Sequence, residues 1–407
     1  MTGHRRGAFR MVSTALALAA ALSLTACGSS NDDATPVQLT AKAGPAGTTF
    51  WDITDQPPAD AEPGEIYWAQ PRSDAPAGAQ GWNVVYVSEI RPGVKAYVSG
   101  EIYAPVGGSD SPRDLVLWNH ETTGLADNCA PSRRSLGAGE ESRVPGIEAL
   151  LAQGNVVAMS DYPGQGLPGP TYYMVGDVNA RASLDMLRAV RALPELNTSN
   201  RYVEYGWSQG GGTTMHVESI ARGYAPELEG MGAGLIAPAV RIRDLTLNSM
   251  KGPENAGYVI ATLPGIKAAN PDLRYADFLN PNAMEMLPVL ADGCFDMWTA
   301  AQPLRDYYKP EAMAPGAPWS NAMAAADDFR PAGAMPFTIY QGAEDITTPA
   351  ELTARERTAL CRAGSAVEYN EYPGLDHESV VARGAELFPA WAADRFAGEQ
   401  APSNCPA

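Results

Sequence analysis

A serine hydroxyl becomes a strong nucleophile only when a base takes its proton and the backbone holds it clear of its surroundings. The stretch Tyr205-Gly206-Trp207-Ser208-Gln209-Gly210-Gly211-Gly212 offers that setting. It follows a strand-like run, Arg201-Tyr202-Val203-Glu204, and precedes Thr213 to Arg222, which reads as helix. Strand, G-x-S-x-G and helix in succession predict a sharp turn with Ser208 at its tip. Gly206 and Gly210 let the two backbones approach closely around it. The helix N-terminus turns its free N–H groups toward any oxyanion that forms there. In a chain with 40 glycines the pentapeptide alone is a weak signal, so the weight falls on its partners.

The chain has four histidines, and His4 lies in the leader. His216 follows Ser208 by eight residues on the same helix, about two turns on, and cannot fold back onto the hydroxyl. It reads as a structural histidine. His120 closes a different strand and reads as a brace for its own loop. That leaves His377, in Gly374-Leu375-Asp376-His377-Glu378-Ser379 after the last strand. Strand carboxyl ends are where open α/β sheets build their sites. The group that orients this imidazole is expected to be Asp345, at the end of the preceding strand, with Glu344 as its competitor. Asp376 is adjacent to His377 and is expected to point elsewhere. The order Ser208, Asp345, His377 is that of the α/β-hydrolases. Two N–H donors complete the set. One is expected from Gln209 and the other from the loop His120-Glu121-Thr122-Thr123-Gly124, with Thr122 first and Thr123 second.

Strands and helices alternate around these residues. Trp82 to Glu89 and Lys95 to Tyr103 read as an antiparallel pair turning at Arg91-Pro92-Gly93, after an irregular lead-in from Phe50 to Ala79. Buried strands follow at Asp114 to Trp118, Asn155 to Ser160 and Gly230 to Pro238, with helices at Val144 to Gln153 and Val175 to Leu193. On the second helix Ala180, Leu184, Leu187 and Val190 share one face. From about Val240 to Arg330 the alternation breaks into Met-, Pro- and aromatic-rich helical fragments, such as Asn282 to Leu290. The pattern resumes with strand Met335 to Gly342, helix Glu351 to Arg362, strand Ala366 to Tyr372 and helix Ala385 to Phe396. This predicts a mostly parallel sheet with helices on both faces and a mostly helical cap inserted after the sixth strand. With the order Ser208, Asp345, His377 it matches an α/β-hydrolase fold, which the family resemblance given below also implies. The core is expected over residues 50–239 and 334–407, with the cap over 240–333. Met250, Tyr258, Met284, Met286 and Met297 either line an acyl pocket or form the plain core of the cap. Leu263-Pro264-Gly265 reads as a turn or a lid hinge.

The length of 407 residues allows a large core. A net charge of −18 argues against a nucleic-acid partner. Residues 1–27 form a targeting segment: Arg5, Arg6 and Arg10, then an apolar run from Met11 to Leu24 too short to span a membrane as an ordinary helix. Leu24-Thr25-Ala26-Cys27 resembles a bacterial lipobox, which implies cleavage before Cys27, its lipidation, and a cell-envelope location facing outside the cytoplasm. Residues 28–49 read as a tether. Export implies an oxidising compartment, and Cys129, Cys294, Cys361 and Cys405 allow three pairings. There is no C-x-x-C and no H-E-x-x-H, so a zinc site is unsupported, and the Ser208, Asp345, His377 set implies neither metal nor organic cofactor.

Taken together, the motifs resemble the bacterial branch of the secretory lipases of the yeast lipase A type. That pattern has H-G-T-T-G, D-Y-x-G-L-G, an alanine- and arginine-rich helix, G-H-S-Q-G-G, D-x-x-x-P and P-G-x-x-H. Here these stand as His120 to Gly124, Asp161 to Gly166, Ala180 to Leu193, Gly206 to Gly211, Asp345 to Pro349 and Pro373 to His377. The resemblance implies carboxylester hydrolysis of lipid or other acyl esters beneath a helical cap. It also implies the disulfides Cys129–Cys294 and Cys361–Cys405. Three residues depart from the pattern: Glu121 replaces glycine, Trp207 replaces histidine and Gln165 replaces leucine. The rival expectations are an acyltransferase or serine peptidase on the same residues, or a surface-tethered binding protein on an inactive hydrolase scaffold.

Overall fold

The computed structural model describes residues 48–137, 142–333 and 335–406, together with Val37, Leu39 and Gly44. The leader and Cys27 lie outside the described residues. The chain opens with strands β1 (Ile66–Arg72), β2 (Ala79–Arg91), β3 (Val94–Pro105) and β4 (Arg113–Asn119). Then come α1 (Ile147–Ala152), β5 (Val156–Ser160), α2 (Gly176–Arg191), β6 (Thr198–Trp207), α3 (Gln209–Tyr224) and β7 (Glu229–Ile236). A helical stretch follows, with α4 (Ile242–Ser249), α5 (Ala256–Ala269), α6 (Pro281–Met284), α7 (Met286–Ala291) and α8 (Pro318–Ala326). The chain returns to the sheet with β8 (Phe337–Gly342), α9 (Ala350–Ala363), β9 (Val367–Tyr372) and α10 (Val381–Phe396).

The strands form one sheet in the order β1-β2-β3-β5-β4-β6-β7-β8-β9. The first three are antiparallel, β3 meets β5 antiparallel, and every pairing from β5 to β9 is parallel. The central strands are apolar on both faces because both are covered. On β4, Leu115 and Leu117 pack with Ala180, Leu184 and Leu187 of α2, while Val116 and Trp118 face Ile147 of α1 and Phe388 of α10. A residue period of two therefore feeds two separate cores from one strand. The expected α/β-hydrolase architecture is borne out.

Two local readings differ. The lead-in from Phe50 to Ala79 contains a regular strand, β1, so the helical stretch follows the seventh strand of the sheet rather than the sixth. β1 carries Pro71 and lies at the sheet edge, where a missing N–H is tolerated. Only Ile66 and Ala69 of this strand are deeply buried, which hides the alternation from a sequence reading. The triplet Leu263-Pro264-Gly265 forms neither turn nor hinge but lies inside α5. Gly265 is there for space: a Cβ would stand 2.1 Å from the Tyr173 carbonyl oxygen.

The helical stretch has its own apolar core of Val259, Ile260, Leu263, Trp298 and Trp319, continuous with Met215 of α3. Met250, Met284 and Met286 pack against that core, and Tyr258 faces the cavities described below. The side chain of Met297 lies outside the described residues. Buried His216 of α3 fastens the stretch to the helices α2 and α3. Its Nε2 lies 3.0 Å from Asp327 beyond α8, and its Nδ1 lies 3.3 Å from Asp177 at the start of α2. Asp327 also accepts the Ile242 N–H at the start of α4, so both ends of the stretch converge on one imidazole. Burial lowers the His216 pKa, but the hydrogen bonds to Asp177 and Asp327 outweigh it and raise it to about 9. A histidine pKa raised on folding stabilises fully below the unfolded value near 6.5, and that contribution is lost as pH rises through the folded value. Melting temperature should therefore fall between about pH 7 and pH 10 by more in the parent than in His216→Leu. Parallel curves would show that the clamp is not ionised.

Candidate active site

β6 ends at Trp207 and α3 begins at Gln209, so Ser208 alone makes the turn, at φ 54° and ψ −117°. A non-glycine residue at positive φ is strained and persists only where its surroundings fix it. Here the Ser208 N–H donates to Ile236 O at 3.0 Å, and its carbonyl accepts from Ala239 N at 2.8 Å. The glycines make the close approach possible: a Cβ on Gly210 would sit 1.8 Å from Asn119 O, and one on Gly206 would sit 2.3 Å from Gly210 O.

The structure brings Ser208, His377 and Asp345 together. Ser208 Oγ lies 2.9 Å from His377 Nε2, and His377 Nδ1 lies 2.8 Å from Asp345 Oδ2. All three residues are buried. Asp345 accepts from Thr347 N at 2.9 Å and Thr348 N at 2.7 Å through one oxygen. Its other oxygen accepts from the Thr348 hydroxyl at 2.8 Å and Gln341 Nε2 at 3.3 Å. Such a cradle fixes the carboxylate against the imidazole. Glu344 is exposed beside it, and exposed Asp376 instead accepts from Ser379 N. Trp207 Nε1 donates to His377 O at 3.2 Å, so the residue before Ser208 braces the loop that carries His377. Sequence reasoning missed Trp207, Gln341 and Thr348 in these supporting positions; only their neighbourhood to Ser208 and Asp345 signalled them.

The Gln209 N–H opens α3 and has no intrahelical acceptor. Thr122 lines the same cavities as Ser208, and its hydroxyl lies 2.9 Å from the Tyr173 hydroxyl. Thr123 is turned into the fold, where its Oγ1 accepts from Gln165 Nε2 at 2.7 Å. Gln165 also donates to Gly124 O at 3.0 Å, so this departure from the family pattern ties down the 120–124 loop. His120 stacks on Tyr162, its ring Nδ1 2.6 Å from Glu121 O, and burial pushes its pKa down to about 4. It remains a neutral loop brace. The loop is further stitched to the helical stretch by an antiparallel bridge between Gly124 and Cys294 and by Phe295 N donating to Thr123 O at 3.0 Å. The disulfides Cys129–Cys294 and Cys361–Cys405 are both formed.

Two cavities meet at Ser208. One is narrow, mostly apolar and lined by Ile242, Leu245, Tyr258, Val259 and Tyr173. The other is wider and more polar, with Glu121, Trp207, Phe295, His377 and Glu378 in its wall. Among the described residues no group of His, Cys, Asp and Glu is arranged to hold a metal ion.

The model of the secretory lipase family matches residues 143–404, which include Ser208, Asp345 and His377. The chain belongs to the secretory lipase family. At the level of the family, the expectation of a carboxylic ester hydrolase is borne out. A secreted triacylglycerol lipase of Malassezia globosa is 26% identical over 72% of this chain and 67% of its own length. Lipase A of Moesziomyces aphidis is 29% identical over 40% of this chain and 36% of its own. The chain spans between about a third and two thirds of the length of the curated relatives it matches. Among solved structures, Candida antarctica lipase A superposes with a TM-score of 0.71 at 20% identity, covering 84% of each chain. At that identity the likeness speaks for the fold of this secretory lipase family member.

Proposed function

We propose that the chain is a serine carboxylester hydrolase acting outside the cytoplasm on lipid or other acyl esters. The observation that carries this is the unbroken hydrogen-bonded path from Ser208 Oγ through His377 to Asp345, opening on an apolar cavity. Ser208 Oγ attacks the ester carbonyl while His377 Nε2 takes its proton. Asp345 holds the imidazole and stabilises its charged form. The Gln209 and Thr122 N–H groups receive the oxyanion. Collapse of the tetrahedral intermediate expels the alcohol, which regains the proton from His377. Water then attacks the acyl-enzyme, giving up a proton to His377, and the second tetrahedral intermediate collapses to the carboxylic acid as His377 returns that proton to the departing Ser208 Oγ. The apolar cavity suits the acyl chain, and the wider polar one suits the alcohol.

Relatives named as secreted lipases support export. The basic start, apolar run and Leu24-Thr25-Ala26-Cys27 support a lipid anchor on Cys27. A Cys27→Ser chain is expected to leave the membrane fraction. The catalytic reading is tested by hydrolysis of p-nitrophenyl esters of increasing acyl length, with Ser208→Ala alongside. The parent should hydrolyse them and the variant should lose at least about four orders of magnitude in kcat. Equal rates from parent and variant would refute it.

A further inference from the structure

The wider cavity beside Ser208 has an unusual wall for a site that releases alcohols. Three aromatic side chains line it: Trp207 from the strand end, and Tyr258 and Phe295 from the helical stretch. Tyr258 and Phe295 pack with ring centroids 5.5 Å apart, and Trp207 lies 5.5 Å from the His377 ring. Two carboxylates join them. Glu121 comes from the loop that also carries Thr122, and Glu378 follows His377 directly. Neither forms an ion pair among the described residues. The nearby Arg143 is committed to Glu101 at 2.9 Å. Arg134, also in the wall, is exposed, and its pull on the Glu121 carboxyl, with that of Arg143, is outweighed by desolvation. Glu121 is half-buried, and desolvation pushes its carboxyl up. A half-buried carboxylate whose hydrogen bond is to its own backbone and which forms no ion pair among the described residues costs stability, and that cost falls when a cation arrives beside it. Aromatic faces attract a soft cation in the same place.

We propose that Glu121 is a specificity-determining residue, selecting esters whose alcohol part carries an alkylammonium group. The inference rests on the ester-hydrolase reading of Ser208. The acyl chain occupies the apolar cavity, and the cationic alcohol lies between Glu121, Glu378 and the aromatic rings until it leaves. Anionic alcohol groups are disfavoured by the same two carboxylates. This gives the departure at position 121 a role in choosing substrate rather than in the bond-breaking step.

The test compares kcat/KM for a choline ester with that for its uncharged isostere, the 3,3-dimethylbutyl ester of the same acid. The ratio cancels effects on the chemical step. The parent should favour the choline ester by about tenfold at low salt, falling toward unity at high salt. Glu121→Gln should bring the low-salt ratio to within about twofold of one. A parent ratio at or below one would overturn the proposal, and so would a tenfold ratio that survives in Glu121→Gln. Calorimetric binding of phenyltrimethylammonium supplies a readout without catalysis. If neither ester is cleaved but the cation binds the parent and not Glu121→Gln, the hydrolase reading fails while the cation site stands. If the cation binds neither protein, the cation site fails.

Discussion

Asp345→Asn should lower kcat on p-nitrophenyl butyrate by about four orders of magnitude while leaving the fold intact. The reason is local. Asp345 Oδ2 lies 2.8 Å from His377 Nδ1, and the same oxygen receives the Thr348 hydroxyl. An amide in this position can present an N–H to Nδ1, driving the ring to the tautomer whose Nε2 carries a proton and faces Ser208. That nitrogen then cannot accept the serine proton. The backbone donors from Thr347 and Thr348 reach the other oxygen and can still be satisfied. The measurement is kcat with a melting curve beside it. A loss under tenfold would assign the orienting role elsewhere, with Glu344 the first residue to examine.

The second large effect is expected at a residue that makes no contact with Ser208, His377 or Asp345. Arg72 at the end of β1 donates to Asp74 at 2.8 and 2.9 Å, to Asn83 at 2.6 Å, to Glu101 at 3.0 Å and to the carbonyls of Ser132 and Arg134 at 2.7 Å. Its side chain is 7% exposed, and that of Glu101 is fully buried. Arg72→Met removes a buried cation and leaves these acceptors behind. Breaking one side of such a network costs about 3–5 kcal/mol. The segment it releases includes Cys129, whose disulfide reaches Cys294 beside the 120–124 loop. Melting should therefore fall by roughly 5 °C or more with the disulfides intact. A change within about one degree would mean that Arg143 alone suffices to hold Glu101.

How much of this was legible in the sequence follows from the range of the interactions. The turn around Ser208 is a local matter of glycine spacing between a strand and a helix, so five residues announce it. His377 was reached because the chain has so few histidines, and Asp345 because strand ends come in a fixed order. The cradle around Asp345 was also close at hand: Gln341, Thr347 and Thr348 lie within four residues of it, yet their side-chain directions depend on the loop's path. The His216 clamp was out of reach. Its partners are 39 and 111 residues away, and nothing in its own helix marks them. β1 was missed for a different reason. As an edge strand it tolerates proline and leaves much of its surface to solvent, so its composition resembles a loop. The departures at Glu121, Trp207 and Gln165 were visible as letters, but their consequences depend on which cavity or loop each side chain meets.

The most direct test of the central claim is covalent. The folded chain is treated with a fluorophosphonate that resembles the tetrahedral intermediate, and the modified peptide is identified by mass spectrometry. The account predicts one adduct per chain, on Ser208, with ester hydrolysis lost in proportion to labelling and no adduct in Ser208→Ala. Full hydrolysis from a chain that takes no label on Ser208, or loss of activity through a label elsewhere, would contradict it.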